Sequence, residues 1–233
     1  MKPWVAKFII GLPDFIFKPV SRSIVRGLIK KHANLTIEGL EDIMGTEGPI
    51  IFIGNHLSNA DGLLAYYILE EHFDPYFIAG EKLDGDTMTS IGMRLVKNVK
   101  IKPNSADKEA LKSIISKAKD GNNIVIFPEG TRSRTGQMIE AKKGITLIAR
   151  MSKAKVIPFA IVGSENLMPI NKDGNMGAEK FCDADVTIKF GKPVEVPKRE
   201  KDEDRGAYEE KVLTIYMKSI ANMLPEEYRG YYK

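Results

Sequence analysis

The sequence predicts an α/β fold: a mostly parallel central sheet flanked by helices, preceded by an N-terminal amphipathic two-helix segment. Three observations carry this. From about residue 34, short apolar runs alternate with helical stretches, the pattern of a parallel sheet with right-handed crossovers. Several runs are continuous rather than alternating, as strands buried on both faces require. Residues 1–31 instead set large apolar groups at helical intervals among basic ones.

In that first segment Trp4, Val5, Phe8, Ile9 and Leu12 form one stripe, and Ile24, Val25, Leu28 and Ile29 another. Pro13 and Pro19 are expected to break it into pieces, since proline lacks a donor and clashes inside a helix. Two readings stay open: helices packed on the core, or an interfacial anchor whose Trp and Phe enter the acyl boundary while Lys and Arg meet anionic head groups. The expected division is a docking segment, 1–33, and an α/β domain, 34–233.

Strands are expected at 35–39, 49–55, 75–80, 98–102, 123–130, 155–163 and 185–196. Helices are expected near 61–72, 84–95, 105–120 and 139–152, and at about 208–224 after the charged run "PKREKDEDRGAYEE". No internal repeat or low-complexity tract is visible.

Composition narrows the function. The single cysteine, Cys182, excludes an internal disulfide and a zinc site of several thiolates, and suits a reducing compartment. The opening does not read as a signal peptide, because Pro13 and Asp14 interrupt its apolar run. The longest stretch free of Asp, Glu, Lys and Arg, 48–60, is far short of the roughly 20 apolar residues of a membrane span. Of the net charge of +4, residues 1–31 hold +6 (seven basic residues against Asp14), leaving −2 for the rest. That argues against a general nucleic-acid-binding surface.

Three polar clusters follow expected strands: "NHLSNAD", "KIKPNS" and "FPEGTRSR". Ligand sites in open α/β sheets lie outside the carboxyl ends of strands, so one shared site is expected. His56 and Asp61 would face apart within a single helix, about 140° around the axis. With His56 in the loop and Asp61 in the first helical turn, N-capped by Asn59, they can meet. The carboxylate would then fix the imidazole tautomer and leave the other nitrogen free to take a proton; otherwise His56 only satisfies backbone groups at a polar strand end. In "FPEGTRSR", Gly130 admits an oxyanion and Arg132 and Arg134 offer planar forks for phosphate, with Glu129 orienting Arg132. A solvated basic loop is the other reading. There is no G-x-S-x-G, G-x-G-x-x-G or G-x-x-x-x-G-K-[ST], and no His/Cys cluster with metal-ligand spacing.

"NHLSNAD", then "FPEGTRSR" about 70 residues on, then "VIPFAI" together resemble the glycerophospholipid acyltransferase family, above all its 1-acyl-glycerol-3-phosphate acyltransferases. The resemblance covers roughly residues 48–163. It implies that His56 is the general base, oriented by Asp61, acting on the free hydroxyl of a lysophospholipid acceptor, lysophosphatidic acid first. The donor would be acyl-CoA or acyl-carrier protein, with no cofactor. Phe127, Glu129, Gly130, Thr131 and Arg132 match the acceptor-binding block, and Pro158 the fourth block, near the acyl pocket. At the second block relatives carry an arginine where this chain has Lys102, with Lys100 on the same face, which keeps charge but loses the bidentate fork. Acceptors such as glycerol 3-phosphate, and a non-catalytic lipid-binding protein, stay open as alternatives. The implied location is peripheral, on the cytoplasmic face of a membrane with an anionic surface.

Overall fold

The computed structural model of the chain describes residues 3–80, 87–102, 107–171, 173 and 178–233. The N-terminal segment forms α1 (Pro3–Ile10) and α2 (Asp14–His32). Pro13 separates them as expected, but Pro19 lies inside α2 without ending it. Pro19 is exposed, so the carbonyl deprived of its donor faces water, while Phe17, Ser21, Val25 and Ile29 bury a stripe at four-residue spacing. That burial offsets the roughly 3 kcal/mol a mid-helix proline costs.

The remaining elements follow in order: β1 (Ala33–Glu38), β2 (Ile50–Gly54), α3 (Ala60–Phe73), β3 (Tyr76–Gly80), α4 (Thr87–Leu95), β4 (Lys97–Ile101), α5 (Lys108–Lys119), β5 (Ile124–Ile126), α6 (Gly144–Ser152), β6 (Lys155–Val162), α7 (Ser164–Leu167), β7 (Ala184–Phe190) and α8 (Arg205–Ala221). They build one sheet in the order β1-β7-β6-β2-β5-β3-β4. All pairs are parallel except β6 with β7. The central strands β2 and β5 are wholly buried, as their unbroken apolar runs demand.

Several boundaries differ from expectation. β5 ends at Ile126 rather than 130, because Phe127 to Gly130 turn back through a Gly130 N–H to Phe127 carbonyl bond. β7 ends at Phe190 rather than 196; beyond it, Gly191 and Val194 donate backbone bonds to Pro158 and Val156. α6 begins at Gly144 rather than 139. The first residues expected in the helices at 84 and 105, and the side chain of Trp4, lie outside the described residues.

The sheet separates two cores. Phe52, Ile157, Phe159 and Ile161 pack under α2 and α3, and this core takes in Ile9, Phe17, Val25 and Ile29. Ile51, Ile53, Val156 and Ala160 pack under α5, α6 and α8. The N-terminal helices are thus part of the domain's core. They also keep an outward apolar side: Phe8 is 67% and Phe15 78% exposed, with Ile16 and Val20 beside them. Arg94 of α4 holds the elbow between them. Its guanidinium donates to the carbonyls of Ile10 and Leu12, pairs with Asp14 at 2.5 Å and stacks over Phe17 at 4.1 Å. No helix among the described residues is long and apolar enough to cross a membrane.

Candidate active site

β2 lies between β6 and β5, with Ile53 level with both Ile126 and Pro158. This register brings the loop after β2 beside the turn after β5. Gly54 ends β2 against the Phe159 ring, where an added Cβ would stand 2.4 Å from ring carbons; only glycine fits. Asn55, fully buried, then continues the ladder with its side chain, donating to the Ile161 carbonyl at 2.9 Å and accepting from the Ile161 N–H at 2.8 Å.

His56 follows. Its Nδ1 is 2.7 Å from Oδ2 of Asp61, which is fully buried at the start of α3. Oδ2 also accepts the N–H groups of Leu57 (2.6 Å) and Ser58 (2.8 Å), and Oδ1 accepts from Ser164 Oγ at 2.5 Å. Four donors thus converge on this carboxylate at the N-terminus of α3. Since Oδ2 already accepts two backbone N–H groups, Nδ1 is assigned as the donor to it and Nε2 keeps the free lone pair. The imidazole stacks on Phe127, ring centroids 4.4 Å apart. Asn59 does not cap α3 with its side chain, contrary to expectation. Ser58 Oγ accepts the Ala60 N–H instead, and Asn59 reaches Glu179 at 2.6 Å.

The turn after β5 is tied to this loop. Ser133 N–H donates to the His56 carbonyl at 2.8 Å. Glu129, fully buried, accepts the His56 N–H (2.9 Å) on Oε1 and the Ile139 N–H (2.8 Å) on Oε2. The expectation that Glu129 orients Arg132 is therefore corrected: it braces backbone, because the register sets it opposite His56. Arg132 is held by Glu179, whose oxygens lie 2.8 and 2.9 Å from Nη1. Gly130, at φ +71°, and Thr131 are exposed at the turn. Arg134 is also exposed and lines a cavity of about 520 Å³ with Leu57, Ser133, Ile170 and Tyr228, which Arg132 does not line. The two arginines expected to form one clamp face different surroundings.

Burial pushes the Glu129 carboxyl up to about 7, against the pull of its two backbone donors and helped by the nearby Asp61 charge. A carboxyl raised on folding gives stability that is complete below its unfolded value of about 4.5 and is lost as pH rises through about 7. The difference in urea unfolding free energy between wild type and Glu129→Gln should therefore shift by about 3 kcal/mol across that window, against wild type as pH rises. A pH-independent difference would contradict this.

The other expected residues lie further off. Lys100 and Lys102 are exposed on and just after edge strand β4, with β5 and β3 between them and β2; the rest of that cluster, 103–106, lies outside the described residues. Pro158 is buried in β6. By strand alternation it shares the face of Val156 and Ala160, opposite Phe159, and the structure does not bring it to His56. Among the described residues, no group of three or more His, Cys, Asp or Glu could hold a metal. Glu179 and Ser164 belong to none of the expected clusters. Glu179 is 47 residues from Arg132 and Ser164 103 from Asp61, and no local pattern marks either.

Comparison with known proteins places this geometry. The chain is 28% identical over 184 residues to a chloroplastic 1-acyl-sn-glycerol-3-phosphate acyltransferase of Arabidopsis thaliana, covering 73% of this chain and 50% of that one. A probable 1-acyl-sn-glycerol-3-phosphate acyltransferase of Mycoplasma genitalium is 28% identical over 186 residues, 77% and 68% of the two chains. The chain spans about half the length of the first curated relatives it matches. The crystal structure of the 1-acyl-sn-glycerophosphate (LPA) acyltransferase PlsC from Thermotoga maritima superposes with a TM-score of 0.62 at 25% identity, covering 90% of this chain and 84% of that one. The family model described as Acyltransferase matches residues 34–162, more than half the chain and inclusive of both motif loops, and the protein accordingly belongs to the Acyltransferase family.

Proposed function

We propose that the chain is a peripheral 1-acyl-sn-glycerol-3-phosphate O-acyltransferase, giving phosphatidic acid from lysophosphatidic acid and an acyl thioester. The carrying observation is His56: Nδ1 is engaged by a buried carboxylate, which leaves Nε2 for the acceptor, and the loop bearing it is tied to the turn after β5 by two hydrogen bonds. Nε2 takes the proton of the sn-2 hydroxyl as that oxygen attacks the thioester carbonyl. The tetrahedral centre collapses, the C–S bond breaks, and the imidazolium returns the proton to the departing thiolate. Asp61 stabilises the imidazolium between these steps. The nucleophile comes from the acceptor, so none is needed from the protein. Arg132, Thr131 and the Gly130 backbone are assigned to the acceptor phosphate, and Lys100 and Lys102 to its wider electrostatic attraction. Phe127 supports the base, and Pro158 acts on the acyl side only indirectly, through its sheet neighbours.

Docking is assigned to α1 and α2, with residues 1–33 as the docking segment of the α/β domain. Phe8, Phe15, Ile16 and Val20 supply apolar contact, and Lys7 and Lys18 exposed charge. Arg22 and Arg26 are engaged by Glu70 on α3, which leaves less of the segment's +6 for lipid. The cytoplasmic face follows from the donor thioesters. One assay tests the reading: vesicles of phosphatidylglycerol and phosphatidylcholine carrying lysophosphatidic acid, with mixed acyl-CoA and acyl-carrier-protein donors and products read by mass spectrometry. Phosphatidic acid should form in preference to products from acceptors lacking a phosphomonoester. Phe8→Ser/Phe15→Ser should weaken vesicle binding by about tenfold or more without loss of folding. Equal use of glycerol 3-phosphate or of a phosphate-free acceptor would overturn the substrate assignment.

A further inference from the structure

Glu179 is a buried carboxylate to which the reaction above gives no task. Its side chain is 1% exposed. Oε1 accepts from Arg132 Nη1 at 2.9 Å and from the Asn171 backbone N–H at 3.2 Å. Oε2 accepts from the same Nη1 at 2.8 Å and from Asn59 Nδ2 at 2.6 Å. Both oxygens thus converge on one terminal nitrogen of the guanidinium, while Nε and Nη2 carry no hydrogen bond among the described residues. A guanidinium presents five N–H donors in a rigid plane. With Nη1 engaged, the open Nε–Nη2 edge is the one whose two parallel donors match two oxygens of a phosphate. Asn59 lies three residues after His56 in the same loop, so the carboxylate joins the loop bearing the base to the turn bearing Arg132.

We propose that Glu179 is a positioning residue for the acceptor phosphate. It holds Arg132 with one N–H edge open and fixes that edge relative to the His56 loop. The inference rests on the reading of Arg132 as the phosphate-holding residue. Ordering a long, rotamer-rich side chain during folding, rather than on binding, is what such a clamp contributes to affinity. A carboxylate that merely occupied the phosphate's place would have the opposite sign: its removal would tighten acceptor binding.

Steady-state kinetics on the full chain separate these. Glu179→Gln should raise KM for lysophosphatidic acid about tenfold or more, with kcat and the donor KM within about threefold of wild type. Glu179→Asp, which keeps the charge but is one methylene short, should fall between them; it provides the same readout should the glutamine variant fold poorly. In an Arg132→Ala background, adding Glu179→Gln should change KM by less than about twofold, because Glu179 acts through Arg132. A lowered KM would overturn the proposal, as would full additivity of the two substitutions. Titration of the Arg132 Nε–Hε resonance with inorganic phosphate reads the clamp independently of turnover. Glu179→Gln should need about tenfold more phosphate for the same shift, and identical titrations would overturn the inference. Failure of the wild type to acylate lysophosphatidic acid would overturn the functional reading alone.

Discussion

His56→Ala should lower kcat for acyl transfer by about three orders of magnitude, within the range by which positioned general bases accelerate reactions, while leaving the protein folded. The side chain is 21% exposed, and apart from the bond to Asp61 its main contact is the face of Phe127. Its removal takes little from the core. The backbone ties of residue 56, to Glu129 and Ser133, do not depend on the imidazole, so the two loops should stay joined. Product formation by mass spectrometry, alongside circular dichroism of the variant, checks both halves. A folded variant turning over at the wild-type rate would remove His56 from the mechanism.

Asp61→Asn should lower kcat by about two to three orders of magnitude for a different reason. An asparagine oxygen in the place of Oδ2 can still accept from His56 Nδ1, Leu57 and Ser58, and its amide can donate to Ser164 Oγ after that hydroxyl turns. The tautomer is then kept and the fold costs only about 1–2 kcal/mol. What disappears is the negative charge that stabilises the imidazolium, so the loss should fall on kcat with the acceptor KM nearly unchanged. Asp61→Ala leaves all four donors without their acceptor and should cost about 3–5 kcal/mol of stability. Urea unfolding of the two variants beside their kinetics separates the roles; equal stability losses would mean the hydrogen-bond pattern, not the charge, dominates.

Much of the site was legible because its signals are local. The His56-to-Asp61 spacing demands a loop followed by a helical turn, and the apolar run before it and the helical stretch after it supply both. Gly130 announces a tight turn in the same way, and it has a positive φ. The partners of these residues were not legible. Glu129 sits beside Arg132 in sequence, which suggested that the two pair. The sheet places Glu129 against the His56 backbone instead, 73 residues away, and gives Arg132 to Glu179. Asn59 looked like a cap because Asn is a common capping residue, yet Ser58 was better placed and Glu179 claimed the Asn59 amide.

Spacing and composition are enough to mark the strands and helices in the main, a mostly parallel sheet, and the loops that the proposed chemistry uses. Burial pattern and turn chemistry act over a few residues, and both are written in composition and spacing. Strand order and packing alone show that β7 runs against β6, that Pro19 stays within α2, and that the N-terminal helices belong to the core while still presenting phenylalanine to solvent. Strand order and register bring together groups far apart in the chain. The carboxylate nearest in sequence to Arg132 was therefore not the one that holds it.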